Sequence, residues 1–126
     1  MEFILIVDDD EQLCKVLSEE LEEIGYDTDY VTRAESAINY LNSGKNVDLI
    51  LLDLKMPGKD GFFVLEYINA NEISAKVIVL TAYADVSSAI ASTKLGAKDF
   101  IGKPYDLDEL LISIRKVLQM WYEVIN

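Results

Sequence analysis

Val47-Asp48-Leu49-Ile50-Leu51-Leu52-Asp53, followed at once by Leu54-Lys55-Met56-Pro57-Gly58-Lys59-Asp60-Gly61, is the segment from which the rest of the chain can be placed. Its apolar run shows no polar alternation. That pattern reads as a strand covered on both faces, as in the middle of a parallel sheet. The run ends on a carboxylate, and a Pro/Gly loop then carries the chain away. Ligands of open α/β sheets bind beyond the carboxyl ends of the strands, so Asp53 is placed where chemistry is expected. Taken alone it is equally well read as an ordinary strand-ending Asp that starts a turn.

Working outward, the same punctuation recurs. Upstream, Glu2 to Val7 is an apolar run that ends on Asp8-Asp9-Asp10-Glu11. A helix is predicted next, with Leu13, Val16, Leu17, Leu21 and Ile24 at i, i+3, i+4 spacing, Asp9 or Asp10 as N-cap and Gly25 as stop. Tyr26 to Val31 reads as a short strand interrupted by Asp27 and Asp29. A helix from about Arg33 to Asn42 buries Ala37, Ile38 and Leu41 and ends near Gly44. Downstream, a helix from about Gly61 to Ala70 presents Val64, Leu65 and Ile68. Lys76 to Leu80 is the fourth strand, ending on Thr81-Ala82. Asp85 caps a helix that runs to about Leu95 and stops at Gly96. Lys98 to Gly102 is the fifth strand, ending on Lys103-Pro104. The last helix begins near Asp106, with Asp108 and Glu109 at the positive end of its dipole, and runs nearly to the C-terminus. Five strands alternating with five helices through short connections predict parallel strands, right-handed crossovers and helices on both faces.

Composition narrows the function. The 126 residues form one domain, 1–126, with no linker or repeat, and 51% are hydrophobic. Twenty-three acidic residues against 11 basic ones give a net charge of −12, which argues against direct nucleic-acid binding and suits a module that attracts cations. There is no histidine, so the commonest general base and neutral metal ligand are missing. The lone Cys14 reads as a small buried apolar residue. No apolar run approaches the ~20 residues of a membrane span and no basic segment precedes one at the N-terminus. A cytoplasmic setting without membrane contact is the expectation.

Four strands end on groups suited to phosphate or metal chemistry: Asp8/Asp9, Asp53, Thr81 and Lys103. A parallel sheet brings these ends to one edge. Crowded carboxylates repel unless a cation neutralises them, and oxygen ligands without His or Cys point to Mg²⁺ or Mn²⁺. A carboxylate can also accept a phosphoryl group. The parts therefore fit in-line phosphoryl transfer to Asp53, with Lys103 as a point charge and Thr81 as a hydroxyl donor. Each residue has a plainer reading alone: an acid-rich helix start, a turn Thr, a solvated Lys. Their joint placement is the signal.

Val7-Asp8-Asp9, the run from Leu52 through Asp53 to Gly61, Leu80-Thr81-Ala82 and Gly102-Lys103-Pro104 resemble, in order and at the expected spacing, the response-regulator receiver domain of two-component signalling. The segment from Leu80 to Leu110 is most similar to receivers of the nitrogen-regulation type. The resemblance implies a flavodoxin-like (βα)5 doubly wound fold with strand order 2-1-3-4-5. It implies Asp53 as phosphoacceptor for a partner histidine kinase or phosphotransfer protein. Asp9, Asp53 and the Lys55 carbonyl would bind Mg²⁺ directly, and Asp8 through water. Thr81 and Lys103 would hold the phosphoryl group, with small Ala82 beside it, and Thr81 and Phe100 would form the switch. Lys55 and Tyr83 fall at positions that tune phosphoryl lifetime, and Lys103-Pro104 is expected cis. The role is signalling, not enzymatic beyond the domain's own phosphorylation and dephosphorylation.

Rival classes fit less well. An Asp-nucleophile phosphohydrolase would carry a second acid where this chain has Lys55. A flavin carrier needs a neutral phosphate loop where this chain has three aspartates. A degenerate docking receiver would lack Asp53, Thr81 or Lys103. The fourth helix, with Ser87, Ser88, Ala89, Ala91 and Ser92, reads as a mobile element of a switching face shared with the fifth strand and helix. In the last helix the apolar stripe Leu107, Leu110, Leu111, Ile114, Val117, Leu118, Trp121, Tyr122, Ile125 runs past the expected edge of the sheet. Residues from about 119 to 126 then read as a cover for the domain's edge, a homodimer contact or the start of a linker. With no effector region before Asn126, the sequence reads as a stand-alone receiver or part of a larger regulator.

Overall fold

The computed structural model describes residues 2–125, with side chains described only as far as residue 119. β1 (Phe3–Val7), β2 (Asp27–Val31), β3 (Leu49–Leu52), β4 (Lys76–Thr81) and β5 (Asp99–Gly102) alternate with α1 (Glu11–Ile24), α2 (Ala34–Leu41), α3 (Gly61–Ala70), α4 (Val86–Lys94) and α5 (Leu107–Ile125). The strands pair in parallel in the order β2-β1-β3-β4-β5, the flavodoxin-like arrangement expected from the resemblance.

Alternate residues of the central strands supply two cores. Leu5, Val7, Ile50, Leu52, Val77 and Val79 face α2 and α3 through Ala34, Ala37, Val64 and Leu65. Ile4, Ile6, Leu49, Leu51, Ile78 and Leu80 face α1 and α5 through Cys14, Leu17, Leu21, Leu110 and Ile114. With both faces covered, β3 is buried at every position, which is why its sequence carries no alternation. Each fully buried Leu or Ile contributes about 1.5–3 kcal/mol. β2, at the sheet edge, buries no residue completely and so tolerates Asp27 and Asp29.

The helix starts follow their caps. Asp10, Asp60 and Asp85 each accept a hydrogen bond from the backbone N–H three residues on, satisfying a donor that the first turn leaves free. Gly25 ends α1 at φ 122°, a conformation an L-residue adopts poorly.

Two predicted core positions are corrected. Val16 and Ile24 are 43% and 41% exposed, while Cys14, Leu17 and Leu21 are fully buried. At about 100° per residue, Val16 points well away from the line Cys14-Leu17-Leu21, and Ile24 is the last residue of its helix. The ladder of β3 is also shorter than the apolar run that predicted it. Asp48 lies outside the strand and its Oδ2 accepts the Phe3 N–H at 2.7 Å, a polar clasp at the entry to the sheet. Burial, followed by the nearby Asp8 charge, pushes the Cys14 thiol pKa up to about 12, in keeping with a packing residue. The α5 backbone continues to Ile125, but the side chains of Trp121, Tyr122 and Ile125 lie outside the described residues.

Candidate functional site

Sheet register assembles the site. Val7 lies beside Leu52 and Leu52 beside Val79, so the residues that follow, Asp8 and Asp53, leave the sheet side by side. The Asp53 N–H donates to the Val7 carbonyl at 2.9 Å and the Asp8 N–H to the Val31 carbonyl at 3.2 Å, fixing both backbones as they leave the ladder. Thr81 pairs with Gly102, and the Lys103 N–H donates to the Thr81 carbonyl at 2.8 Å. Lys103 thus starts one row beyond Thr81, and its long side chain reaches back across the edge. The Lys103-Pro104 bond is cis.

Carboxylate oxygens of Asp8, Asp9 and Asp53 lie within 4.8 Å of one another. Asp8 and Asp53 are 2% and 6% exposed, whereas Asp9 faces solvent. Lys103 Nζ stands 2.6 Å from Asp8 Oδ2 and 3.6 Å from Asp53 Oδ2. One ammonium therefore serves two buried carboxylates and leaves the cluster net negative. Burial raises the Asp8 pKa, against the opposing hydrogen bond from Lys103. For Lys103 burial works to lower the pKa, but Asp8 and Asp53 together outweigh it and hold the ammonium protonated. An all-oxygen donor set with one solvent-facing member and surplus negative charge fits a hard divalent cation such as Mg²⁺ that keeps some of its water.

The other predicted residues are placed as follows. The Lys55 N–H points at Asp53 Oδ1 at 3.5 Å, and its ammonium lies 5.3 Å above the Tyr83 ring. Thr81 is fully buried, and its Oγ1 accepts the Tyr83 N–H at 3.2 Å. Ala82 is exposed. Phe100 is half-buried and packs against the α2/α3 core.

Gly61, expected as the end of the loop motif after Asp53 and the start of α3, is also part of the frame that holds Asp53. Its N–H donates to the Leu54 carbonyl at 3.0 Å. An added Cβ would overlap the Asp53 carbonyl oxygen and lie 2.9 Å from Leu54 Cα. Backbone, not a flexible side chain, stands in the way. Gly61→Ala is therefore expected to lower stability by about 2–3 kcal/mol and to displace Asp53, read by urea unfolding and by the backbone amide shifts of Asp53 and Leu54. A change below about 0.5 kcal/mol with unmoved shifts would remove this account. A glycine directly after a capping Asp was the available signal, since no left-handed turn is needed there.

Residues 4–115 match the family model described as response regulator receiver domain. Regulatory protein AtoC of Escherichia coli (strain K12) is 35% identical over 117 residues, which is 93% of this chain and 25% of that protein. Sporulation initiation phosphotransferase F of Bacillus subtilis (strain 168) is 34% identical over 119 residues, 94% of this chain and 95% of that one. The crystal structure of response regulator protein TrrA from Thermotoga maritima in complex with Mg²⁺-BeF is 38% identical, with a TM-score of 0.83 over 93% of this chain and 99% of that one. The chain thus spans about a quarter of one curated relative and nearly all of another.

Proposed function

The chain belongs to the response regulator receiver domain family, and from that premise we propose that Asp53 accepts a phosphoryl group from a partner histidine kinase or phosphotransfer protein in a Mg²⁺-dependent reaction. The observation that carries this reading is the Lys103 ammonium shared between buried Asp8 and Asp53, 2.6 and 3.6 Å away, in a cluster that remains net negative.

Asp53 Oδ attacks phosphorus as the bond to the donor breaks and the donor leaves with the bonding pair. Burial keeps the nucleophile weakly hydrated, and the Val7 carbonyl fixes its backbone. Lys103 is already in place to face a phosphoryl oxygen, so little reorganisation is required of it. Asp8, Asp9, Asp53 and the Lys55 carbonyl would hold the metal. Bound Mg²⁺ would neutralise the carboxylates and the charge of the incoming phosphoryl group. Mn²⁺ offers the same chemistry.

Intact mass after incubation with acetyl phosphate tests the reading. One phosphoryl group gained with Mg²⁺, and none after chelation of divalent metal, is the expected result. A folded protein that gains none under either condition would make a docking module the better account.

The output is read as a population shift. Thr81 turns from the Tyr83 N–H toward the phosphoryl group, Phe100 moves inward, and the face of α4, β5 and α5 changes. α4 buries only Ser92 among its residues and leaves Val86 and Ile90 76% and 52% exposed, so few contacts oppose its movement. Hydrogen exchange across Val86–Lys94 is expected to change on adding beryllofluoride with Mg²⁺. Equal protection with and without the mimic would overturn the α4 assignment.

The altered face, or the segment from about residue 119 onward, would contact a second copy or an output domain, in a cytoplasmic setting. The nitrogen-regulation likeness rests on the Leu80–Leu110 segment.

A further inference from the structure

A cavity of about 370 Å³ opens beside the acidic cluster, lined by Asp9, Thr32, Arg33, Pro57 and Gly58. It lies between the loop that follows β2 and the loop that follows β3, and Asp9 joins it to the carboxylates around Asp53. Arg33 is the one cation in this lining. Among the described residues its guanidinium makes a single long contact, Nε to Glu35 Oε1 at 4.0 Å, with both side chains at least half exposed, so it keeps most of its hydrogen-bonding capacity.

We propose that this cavity receives the leaving group of the phosphodonor and that Arg33 favours donors whose leaving group departs as a carboxylate. The inference rests on Asp53 being the acceptor. When an acyl phosphate reacts, a bond forms between Asp53 Oδ and phosphorus while the P–O bond to the acyl group breaks. The carboxylate departs with the bonding pair, and no proton transfer is needed. Negative charge then grows on an oxygen on the side of phosphorus away from Asp53. Lys103, engaged with Asp8 and Asp53, is on the nucleophile's side. A domain of net charge −12 that presents Asp9 at its mouth would otherwise repel that charge. Arg33 can meet a carboxylate through two parallel N–H donors, a geometry that lysine lacks. A phosphoramidate reacts differently. Its N-protonated form loses neutral ammonia as the P–N bond breaks, so a cation at the exit gives no comparable help.

The test is the ratio of two rates in Mg²⁺, phosphorylation by acetyl phosphate over phosphorylation by phosphoramidate, followed by intact mass. Arg33→Gln is expected to lower this ratio about three- to fivefold, the size an exposed charge contact supports. The wild-type preference should also shrink as salt rises. Arg33→Lys, which keeps the charge but not the paired donors, should fall between the two. Both rates falling together in Arg33→Gln would overturn the leaving-group role and make Arg33 a general attractor of anions. A ratio equal to wild type would overturn it as well. Wild type taking phosphate from neither donor would instead overturn the Asp53 reading, and this inference with it.

Discussion

Replacing Asp53 by asparagine is expected to abolish phosphoryl uptake from acetyl phosphate completely, and in metal-free buffer to stabilise the fold by about 1 kcal/mol. The first effect is chemical: a neutral carboxamide has no anionic oxygen to attack phosphorus. The second follows from the crowding of charges. At an effective dielectric of about 20, Asp53 is repelled by Asp8 and by Asp9 by roughly 3.5 kcal/mol each at the 4.8 Å limit. Lys103 at 3.6 Å returns roughly 4.6 kcal/mol. The balance is repulsive, and screening at the open side of the cluster reduces it to about 1 kcal/mol. Saturating Mg²⁺ should reverse the order of stability, because the metal binds the native state and holds the intact cluster better. Intact mass and urea unfolding with and without Mg²⁺ read both effects. Phosphate gained by the Asp53→Asn protein would put the acceptor elsewhere.

The fold was legible because its strands are short apolar runs with sharp ends. Leu49 to Leu52 reads as a doubly covered strand because its unalternating run is short and is followed by a Pro/Gly loop, and four of the five strands stop on polar residues that register then lines up. Strand order was not legible from pattern, since local spacing does not say which strand is neighbour to which; the resemblance supplied it. Periodicity also overstated α1, because Val16 and Ile24 are apolar without facing the sheet. In the site, charge and position showed which groups converge, namely Asp8, Asp9, Asp53 and Lys103. They did not show that Lys103 lies closer to Asp8 than to Asp53, or that the Thr81 hydroxyl is engaged by the Tyr83 N–H. Those details depend on side-chain torsions. The close approach of Gly61 to the Asp53 and Leu54 backbone was not legible, because it depends on how the single loop after β3 folds back on itself; the place of Arg33 was not legible, because its cavity forms only where the loops after β2 and β3 meet.

Lys103→Met should be the most destabilising change at the site, about 3 kcal/mol at neutral pH. Methionine keeps much of the stem packing but leaves Asp8 and Asp53 buried without a cation, and breaking one side of a buried ion pair costs about 3–5 kcal/mol. An upper bound comes from protonation. Asp8 can escape its burial by taking a proton, which at pH 7 costs at most about 4 kcal/mol for a carboxyl with an ordinary value near 3.9. At pH 5 the same escape costs about 1.5 kcal/mol. The Asp8 pKa already stands above its ordinary value because of burial, and removing Lys103 raises it further. With the folded value above the unfolded one, the native state holds more protons. The variant therefore regains stability as pH falls and loses it as pH rises through the folded value. Urea unfolding should show the gap between wild type and Lys103→Met narrowing to about half between pH 7 and pH 5. Adding Asp8→Asn should restore most of the loss at pH 7, because the amide needs no counter-charge. A gap that is independent of pH and untouched by Asp8→Asn would mean that Lys103 stabilises the domain through its stem, not as the counter-ion of the cluster.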